Sequence, residues 1–120
     1  MHEYRPSQFA CSSFAISDSV IFVKFTYNNT PFAIECKYRS GFAANNSITW
    51  ASDYQIDNYR KYETNNNRKV YIAIGIGGTA DAPLELYLVP LYRLTKPFAQ
   101  KDYIKEFRVT SVQDFLGAIL

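Results

Sequence analysis

The sequence predicts an α/β fold in which a mixed β-sheet opens with a β-hairpin and is flanked by helices. Two segments rich in Val, Ile, Phe and Tyr, residues 19–25 and 31–39, are predicted to form strands. Turn residues separate them at Thr26–Thr30, which favours a hairpin. A continuous apolar run, Val70–Ile76, is typical of a central strand that is covered on both faces. The element order β-β-α-β-β-α then indicates a sheet of mixed strand direction.

The hairpin also predicts which side chains meet. Side chains alternate between the two faces of a strand, so Glu35 and Lys37 share one face of segment 31–39. If the turn centres near Asn28, Asp18 lies opposite Lys37 and Tyr38. It is then within reach of the side chains of Glu35 and Lys37. We therefore expect two carboxylates and an ammonium group to converge in one cleft at the open end of the hairpin.

The next element is predicted to be a helix over Ser47–Glu63, after a loop rich in Gly, Ala and Asn. Ser52 is a candidate cap, because its hydroxyl can accept a hydrogen bond from the first helical turn. A partial apolar stripe is expected to face the sheet. The stripe consists of Ile48, Tyr54, Tyr59 and Tyr62.

The last third of the chain predicts one more strand and short helices. Leu84–Arg93 has strand composition, and Pro90 predicts that this strand lies at an edge or ends near Val89. Lys101–Phe107 and Ser111–Leu120 are predicted to be helical. An exposed apolar face on the central strand would indicate a homodimer interface.

Composition limits the function classes. The 120 residues suffice for one domain, 1–120, and the 48% hydrophobic content is that of a folded core. One histidine (His2) and two cysteines (Cys11 and Cys36) without a CxxC pair exclude a zinc ribbon and a Cys–His catalytic site. No apolar run reaches the ~20 residues of a membrane span. No signal peptide opens the chain, so we expect a cytoplasmic protein.

Charged side chains on one face of an apolar strand need a partner, because burying unpaired charge is costly. That face carries Glu35, Lys37 and Arg39. The opposite face is apolar and consists of Phe32, Ile34 and Cys36. The charged groups therefore form a structural salt bridge, or they bind a charged ligand.

The spacing Asp18…Glu35-x-Lys37 resembles the catalytic motif of the PD-(D/E)XK superfamily, the restriction endonuclease-like metal-dependent nucleases. The surrounding Phe-Ala-Ile-Glu-Cys-Lys-Tyr-Arg is also similar to that family. Downstream, Gln55-x-x-x-Tyr59 resembles a motif of its RecB-type branch. These two residues are one helical turn apart and share a helix face. The resemblance covers most of the chain.

The resemblance implies hydrolysis of DNA phosphodiester bonds that depends on Mg²⁺, with Mn²⁺ as an alternative ion. It makes Asp18, Glu35 and the backbone carbonyl of Cys36 the metal ligands, in keeping with the preference of Mg²⁺ for oxygen. Lys37 would position or deprotonate the attacking water, or neutralise charge in the transition state. Gln55 would help to orient that water.

Nucleic-acid contacts are predicted on four residues, from the resemblance and from local clustering of basic side chains. They are Tyr59, Arg39, Arg60 and Lys61. The chain departs from the family where Ser17 replaces a proline and where the family's N-terminal helix is short or missing. These departures leave open a catalytically inactive domain of this fold that binds nucleic acid or a partner protein. A structural Glu35–Lys37 pair in an unrelated fold is a further alternative.

Overall fold

A four-stranded mixed β-sheet lies at the centre of the structure. The computed structural model describes residues 23–27, 29–110 and 114. The strands, in their order across the sheet, are β1 (Val23–Tyr27), β2 (Thr30–Arg39), β4 (Lys69–Ile76) and β5 (Glu85–Pro90). β2 and β4 are parallel, whereas the two outer pairs are antiparallel. With two α-helices among the described residues, this is a small α/β protein with a mixed sheet, as predicted.

The predicted hairpin is confirmed, with a tighter turn than expected. Tyr27 lies opposite Thr30 in the antiparallel register, so only positions 28 and 29 join the two strands. Asn29 has a φ of 62°, a left-handed conformation that Asn adopts more readily than most residues. Two-residue hairpin turns require positive φ because it matches the twist of the flanking strands. Residues 19–22 of the predicted first strand lie outside the described residues.

β4 is the interior strand that the apolar run predicts. It pairs with β2 on one side and β5 on the other, and every residue from Val70 to Ile76 is buried. The strand therefore has no exposed apolar face of the kind that would indicate a homodimer interface. β5 is an edge strand of the described sheet and ends at Pro90, where the missing N–H breaks no ladder hydrogen bond.

The main helix begins later than predicted. Helix α1 spans Asp53–Asn66, and its N-cap is Ser52, as expected. The backbone N–H of Gln55 donates to Ser52 Oγ (3.1 Å), and the backbone N–H of Ser52 donates to Gln55 Oε1 (3.0 Å). This capping box satisfies orphan N–H groups at the helix start. The predicted start at Ser47 is wrong, because Ser47–Thr49 forms strand β3.

The buried face of α1 also differs from the predicted stripe. Ile56 and Tyr59 are buried, whereas Tyr54 is 76% exposed. The predicted stripe also includes Ile48, which belongs to β3 and not to the helix. Tyr62 is half-buried and packs against the core, as predicted.

β3 belongs to a second, two-stranded sheet that the sequence does not predict. It pairs antiparallel with β6 (Phe98–Gln100), which lies far along the chain. Ile48 of β3 and Ala99 of β6 are in the same buried cluster as Ile56 and Tyr59 of α1. This packing extends the core on the helix side of the main sheet and overrides the local helical pattern before Ser52.

The region after β5 is helical in short pieces. A 3₁₀ turn, Leu91–Arg93, follows β5, and helix α2 (Lys101–Ile104) continues into a 3₁₀ turn at Lys105–Phe107. The first predicted tail helix is thereby confirmed. The second, Ser111–Leu120, lies outside the described residues apart from Asp114, which is helical. None of the described helices is long and apolar enough to cross a membrane.

Gly78, in the turn after β4, is expected not to tolerate alanine. Its φ is +62°, and an added Cβ would lie 2.5 Å from the carbonyl oxygen of Ala82. Gly78→Ala should therefore lower the free energy of unfolding by about 1–3 kcal/mol. Gly41→Ala is the control, because no described atom lies within 4 Å of its added Cβ. Urea unfolding followed by circular dichroism compares the two, and equal losses would contradict the prediction.

Candidate active site on the second strand

The charged side chains of β2 point into the protein. The parallel register sets Glu35 beside Ile72 and Lys37 beside Ile74, and paired residues share a sheet face. Both isoleucines belong to the buried cluster that contains Tyr59 of α1. Glu35 and Lys37 therefore share the face of the sheet that packs against α1, as the alternation along the strand predicts.

The charged side chain of Glu35 is buried, with 8% of its surface exposed. Its Oε2 atom has no hydrogen-bond partner among the residues that the structure describes. Burial raises the pKa of Glu35 from 4.5 to about 7, and it outweighs the charge of Lys37 and a hydrogen bond with the Cys36 backbone, which both lower it. The carboxyl group can therefore change its charge near neutral pH and has one oxygen available to a ligand.

The ammonium group of Lys37 lies over the ring of Tyr59. Its Nζ atom is 5.4 Å from the ring centre of Tyr59, within cation–π range. Tyr59 is 1% exposed and stacks on Trp50, with 6.1 Å between the ring centres. Burial, and then the charge of Glu35, raises the pKa of Tyr59 above its ordinary value, so its hydroxyl stays neutral. This burial favours a packing role for Tyr59 over the predicted nucleic-acid contact.

Arg39, also predicted to contact nucleic acid, ties the end of β2 to the segment that precedes α1. Its guanidinium donates hydrogen bonds to the carbonyl oxygens of Tyr38 (2.7 Å), Thr49 (2.8 Å) and Trp50 (3.1 Å). Burial lowers the pKa of Arg39 from its ordinary value. A phosphate would have to compete with three carbonyl groups for this guanidinium, so the observed contacts are structural.

The side chain of Gln55 forms a hydrogen bond at the start of α1. Its Oε1 atom accepts the hydrogen bond of the capping box from Ser52, and its side chain is half-buried. One helical turn separates it from Tyr59, so the two residues share a helix face. The predicted role in orienting water requires the carboxamide of Gln55 to leave the capping box.

The other two predicted nucleic-acid contacts also have protein partners. Arg60 Nη2 donates to the carbonyl oxygen of Leu94 (3.2 Å). Lys61 forms an exposed ion pair with Asp57, one helical turn before it (3.2 Å). Exposed pairs of this kind are worth little, below about 1 kcal/mol, so Lys61 can exchange Asp57 for a phosphate at small cost.

The remaining predicted ligands are Asp18 and the backbone carbonyl of Cys36. Asp18 lies outside the described residues, so its approach to Glu35 stays a prediction. Cys36 is buried, and strand alternation turns its thiol to the face opposite Glu35. Within the described ranges, no group of three or more His, Cys, Asp or Glu side chains is arranged to hold a metal ion.

Comparisons with known proteins do not extend this description. No family model, curated protein or solved structure matches the chain. The functional interpretation therefore depends on the residues of the site.

Sequence reasoning missed the contacts that support the site. The indole Nε1–H of Trp50 donates to the carbonyl oxygen of Lys96 (2.7 Å), and Trp50 also stacks on Tyr59. A single tryptophan just before a helix cap is a local signal for a packing anchor. Nothing local predicts that its partner lies 46 positions further along the chain.

Proposed function

We propose that this chain is a Mg²⁺-dependent deoxyribonuclease with a restriction endonuclease-like fold, in which Glu35 binds the metal ion and Lys37 acts beside it. The mixed sheet with its hairpin supports the proposed fold, as does helix α1 after the strand that carries the charged pair. The same features are expected of an inactive domain of that fold. The distinction between the two depends on the chemistry at Glu35.

The buried carboxyl group of Glu35 carries this proposal. Burial raises the pKa of Glu35 to about 7, so the positive charge of Lys37 does not compensate for the desolvation of this carboxyl group. Leaving Oε2 without a partner costs free energy, and perturbed groups of this kind concentrate at functional sites. A divalent cation would offset that cost, because the unpartnered oxygen would coordinate it and its charge would favour the ionised form of Glu35.

The oxygen groups around Glu35 suit a hard cation. Mg²⁺ is usually held by one or two carboxylates together with water and substrate oxygens, so Glu35 with the predicted Asp18 would suffice. The backbone carbonyl of Cys36 is the proposed third ligand. When bound, Mg²⁺ would polarise the phosphoryl oxygen and acidify the attacking water.

Lys37 supplies positive charge on the same face of β2. Its ammonium group lies over the Tyr59 ring, and that ring is fixed by stacking on Trp50. A cation held in a partly buried, preorganised position stabilises developing negative charge more strongly than one in open solvent. In this proposal Lys37 neutralises charge on the phosphoryl group or holds the attacking water.

The test is DNA cleavage by the full chain with Mg²⁺, with Mn²⁺ and with EDTA. Glu35→Gln, Lys37→Gln and Asp18→Asn should each lower the cleavage rate by about a hundredfold or more. Glu85→Gln and Lys105→Gln are matched controls, because each removes the same charge from ion pairs elsewhere in the protein. Both controls should cleave at the wild-type rate.

Direct Mn²⁺ binding, measured by electron paramagnetic resonance, separates metal binding from chemistry. Glu35→Gln should lose bound Mn²⁺, whereas Lys37→Gln should keep it. Wild-type cleavage by Glu35→Gln would overturn the proposal. A wild-type chain that binds DNA without cleaving it at any metal concentration would establish the inactive-domain alternative instead.

A further inference from the structure

A second cleft lies between the 3₁₀ turn after β5, strand β6 and helix α2. Its volume is about 280 Å³, and its described lining includes Arg93, Lys96, Phe98 and Tyr103. Ligand sites for larger molecules begin at roughly 300 Å³, so this cleft suits a group of about the size of one nucleotide. The described residues that line it include two cations and no carboxylate.

Two aromatic rings in the cleft are exposed to solvent. Phe98 is 52% exposed and Tyr103 is 44% exposed. Both rings belong to the exposed large apolar side chains of the structure, and both line this cavity. Tyr103 is also fixed in position, since its hydroxyl donates to the carbonyl oxygen of Arg93 (2.6 Å). Rigid, exposed rings are surfaces on which a planar group can stack.

The two cationic side chains of the cleft, Arg93 and Lys96, differ in whether they can pair with an anionic ligand. Arg93 pairs with Glu106 (2.8 Å) and lies over the rings of Tyr103 and Phe107, so it is a structural element of the wall. Lys96 has no ion pair among the described residues, and its Nζ atom lies 5.8 Å from the ring centre of Phe98. Lys96 is therefore the group that can neutralise an anionic ligand beside an exposed ring.

We propose that this cleft binds an unpaired nucleotide of a single-stranded nucleic acid. The base would stack on Phe98, and Lys96 would neutralise the neighbouring phosphate. Stacking platforms beside a cation are the usual means by which proteins bind single strands without reading their sequence. The absence of a carboxylate from the described lining removes the repulsion that would otherwise oppose a phosphate.

Contacts through Trp50 connect this cleft with the candidate active site. The Trp50 indole N–H donates a hydrogen bond to the backbone carbonyl oxygen of Lys96, which lines the cleft. The same indole stacks on Tyr59, whose ring lies under Lys37. The two sites therefore belong to one packed unit. The nucleotide site does not depend on catalysis, because strand binding can be measured in EDTA.

The experiment is fluorescence anisotropy of the full chain in EDTA with labelled oligothymidylate, oligouridylate and an abasic oligonucleotide of equal length. Phe98→Ala should weaken oligothymidylate binding by roughly tenfold, the value of one stacked base, and leave the abasic strand unaffected. Phe98→Trp should keep the affinity, because it retains the ring. Lys96→Gln should weaken all three strands and reduce the salt slope by roughly 0.7.

Tyr54→Ala is the matched control, since Tyr54 is an exposed aromatic residue outside the cleft. It should leave binding unchanged. The proposal is overturned if no oligonucleotide binds, if Phe98→Ala binds as well as Tyr54→Ala, or if the abasic strand binds as tightly as oligothymidylate. Tighter binding of oligouridylate or of oligothymidylate would identify RNA or DNA as the source of the strand.

Discussion

Replacing Glu35 by glutamine is expected to stabilise the metal-free protein above neutral pH and to leave its stability unchanged in acid. The pKa of Glu35 is about 7 in the folded protein, against 4.5 when the group is exposed. Below pH 4.5 both states are protonated, and the neutral carboxyl group resembles the amide. As the pH rises towards 7, the unfolded chain ionises first, so the wild-type protein loses stability progressively.

The size of this effect follows from the same pKa difference. Each tenfold change in an acid constant is worth about 1.4 kcal/mol, so the ionised Glu35 costs on the order of 3 kcal/mol above pH 7. Glu35→Gln should recover that amount at pH 8 and almost none at pH 4. The free energy of unfolding in urea, measured in EDTA at both pH values, gives the comparison.

A surface carboxylate provides the control for this experiment. Glu106→Gln removes one partner of an exposed ion pair with Arg93, and its effect should stay below about 1 kcal/mol. If Glu35→Gln destabilised the protein at pH 8, or changed its stability equally at both pH values, Glu35 would be a well-compensated structural group. The proposed metal site would then lose its main physical argument.

Truncation of Trp50 should cause the largest loss of stability. Trp50 is fully buried and stacks on Tyr59, and its indole N–H donates a hydrogen bond to the backbone carbonyl oxygen of Lys96. Trp50→Ala removes the ring and leaves a buried carbonyl oxygen without its donor, so the free energy of unfolding should fall by about 3–5 kcal/mol. A loss of that size is a large share of the ~5–15 kcal/mol that stabilises a typical domain.

Two further variants separate the contributions of Trp50. Trp50→Phe retains an aromatic ring and loses the hydrogen bond, so it should cost about 1–3 kcal/mol. Tyr54→Ala removes an exposed ring and should change stability by less than about 0.5 kcal/mol. Circular dichroism must follow unfolding, because Trp50 is the one tryptophan of the chain. A loss below about 1 kcal/mol for Trp50→Ala would contradict its role as an anchor.

Several fold elements were predictable because their signals are local. The unbroken apolar run at Val70–Ile76 predicts a strand covered on both faces, and β4 is such a strand. Pro90 predicts that its strand lies at an edge or ends near Val89, and β5 is an edge strand of the described sheet that ends at Pro90. The sequence also predicts Ser52 as a cap, and in the structure Ser52 and Gln55 form the capping box at the start of α1.

The elements that were mispredicted depend on distant partners. Ser47–Thr49 is a strand only because β6 pairs with it, and no local pattern reports that pairing. The predicted apolar stripe therefore includes Ile48, which lies in β3, and it also includes Tyr54, which is exposed in the structure. A three-residue strand has too little periodicity to outweigh a neighbouring helical signal.

By itself, the sequence determined that Glu35 and Lys37 share one face of a strand, since alternation is a property of the extended backbone. Only the tertiary structure decided which way that face points. Packing of α1 against the sheet buries Glu35 and raises its pKa, and it places Tyr59 under Lys37. Desolvation depends on every atom that surrounds a group, including atoms distant in sequence, so residue spacing cannot predict it.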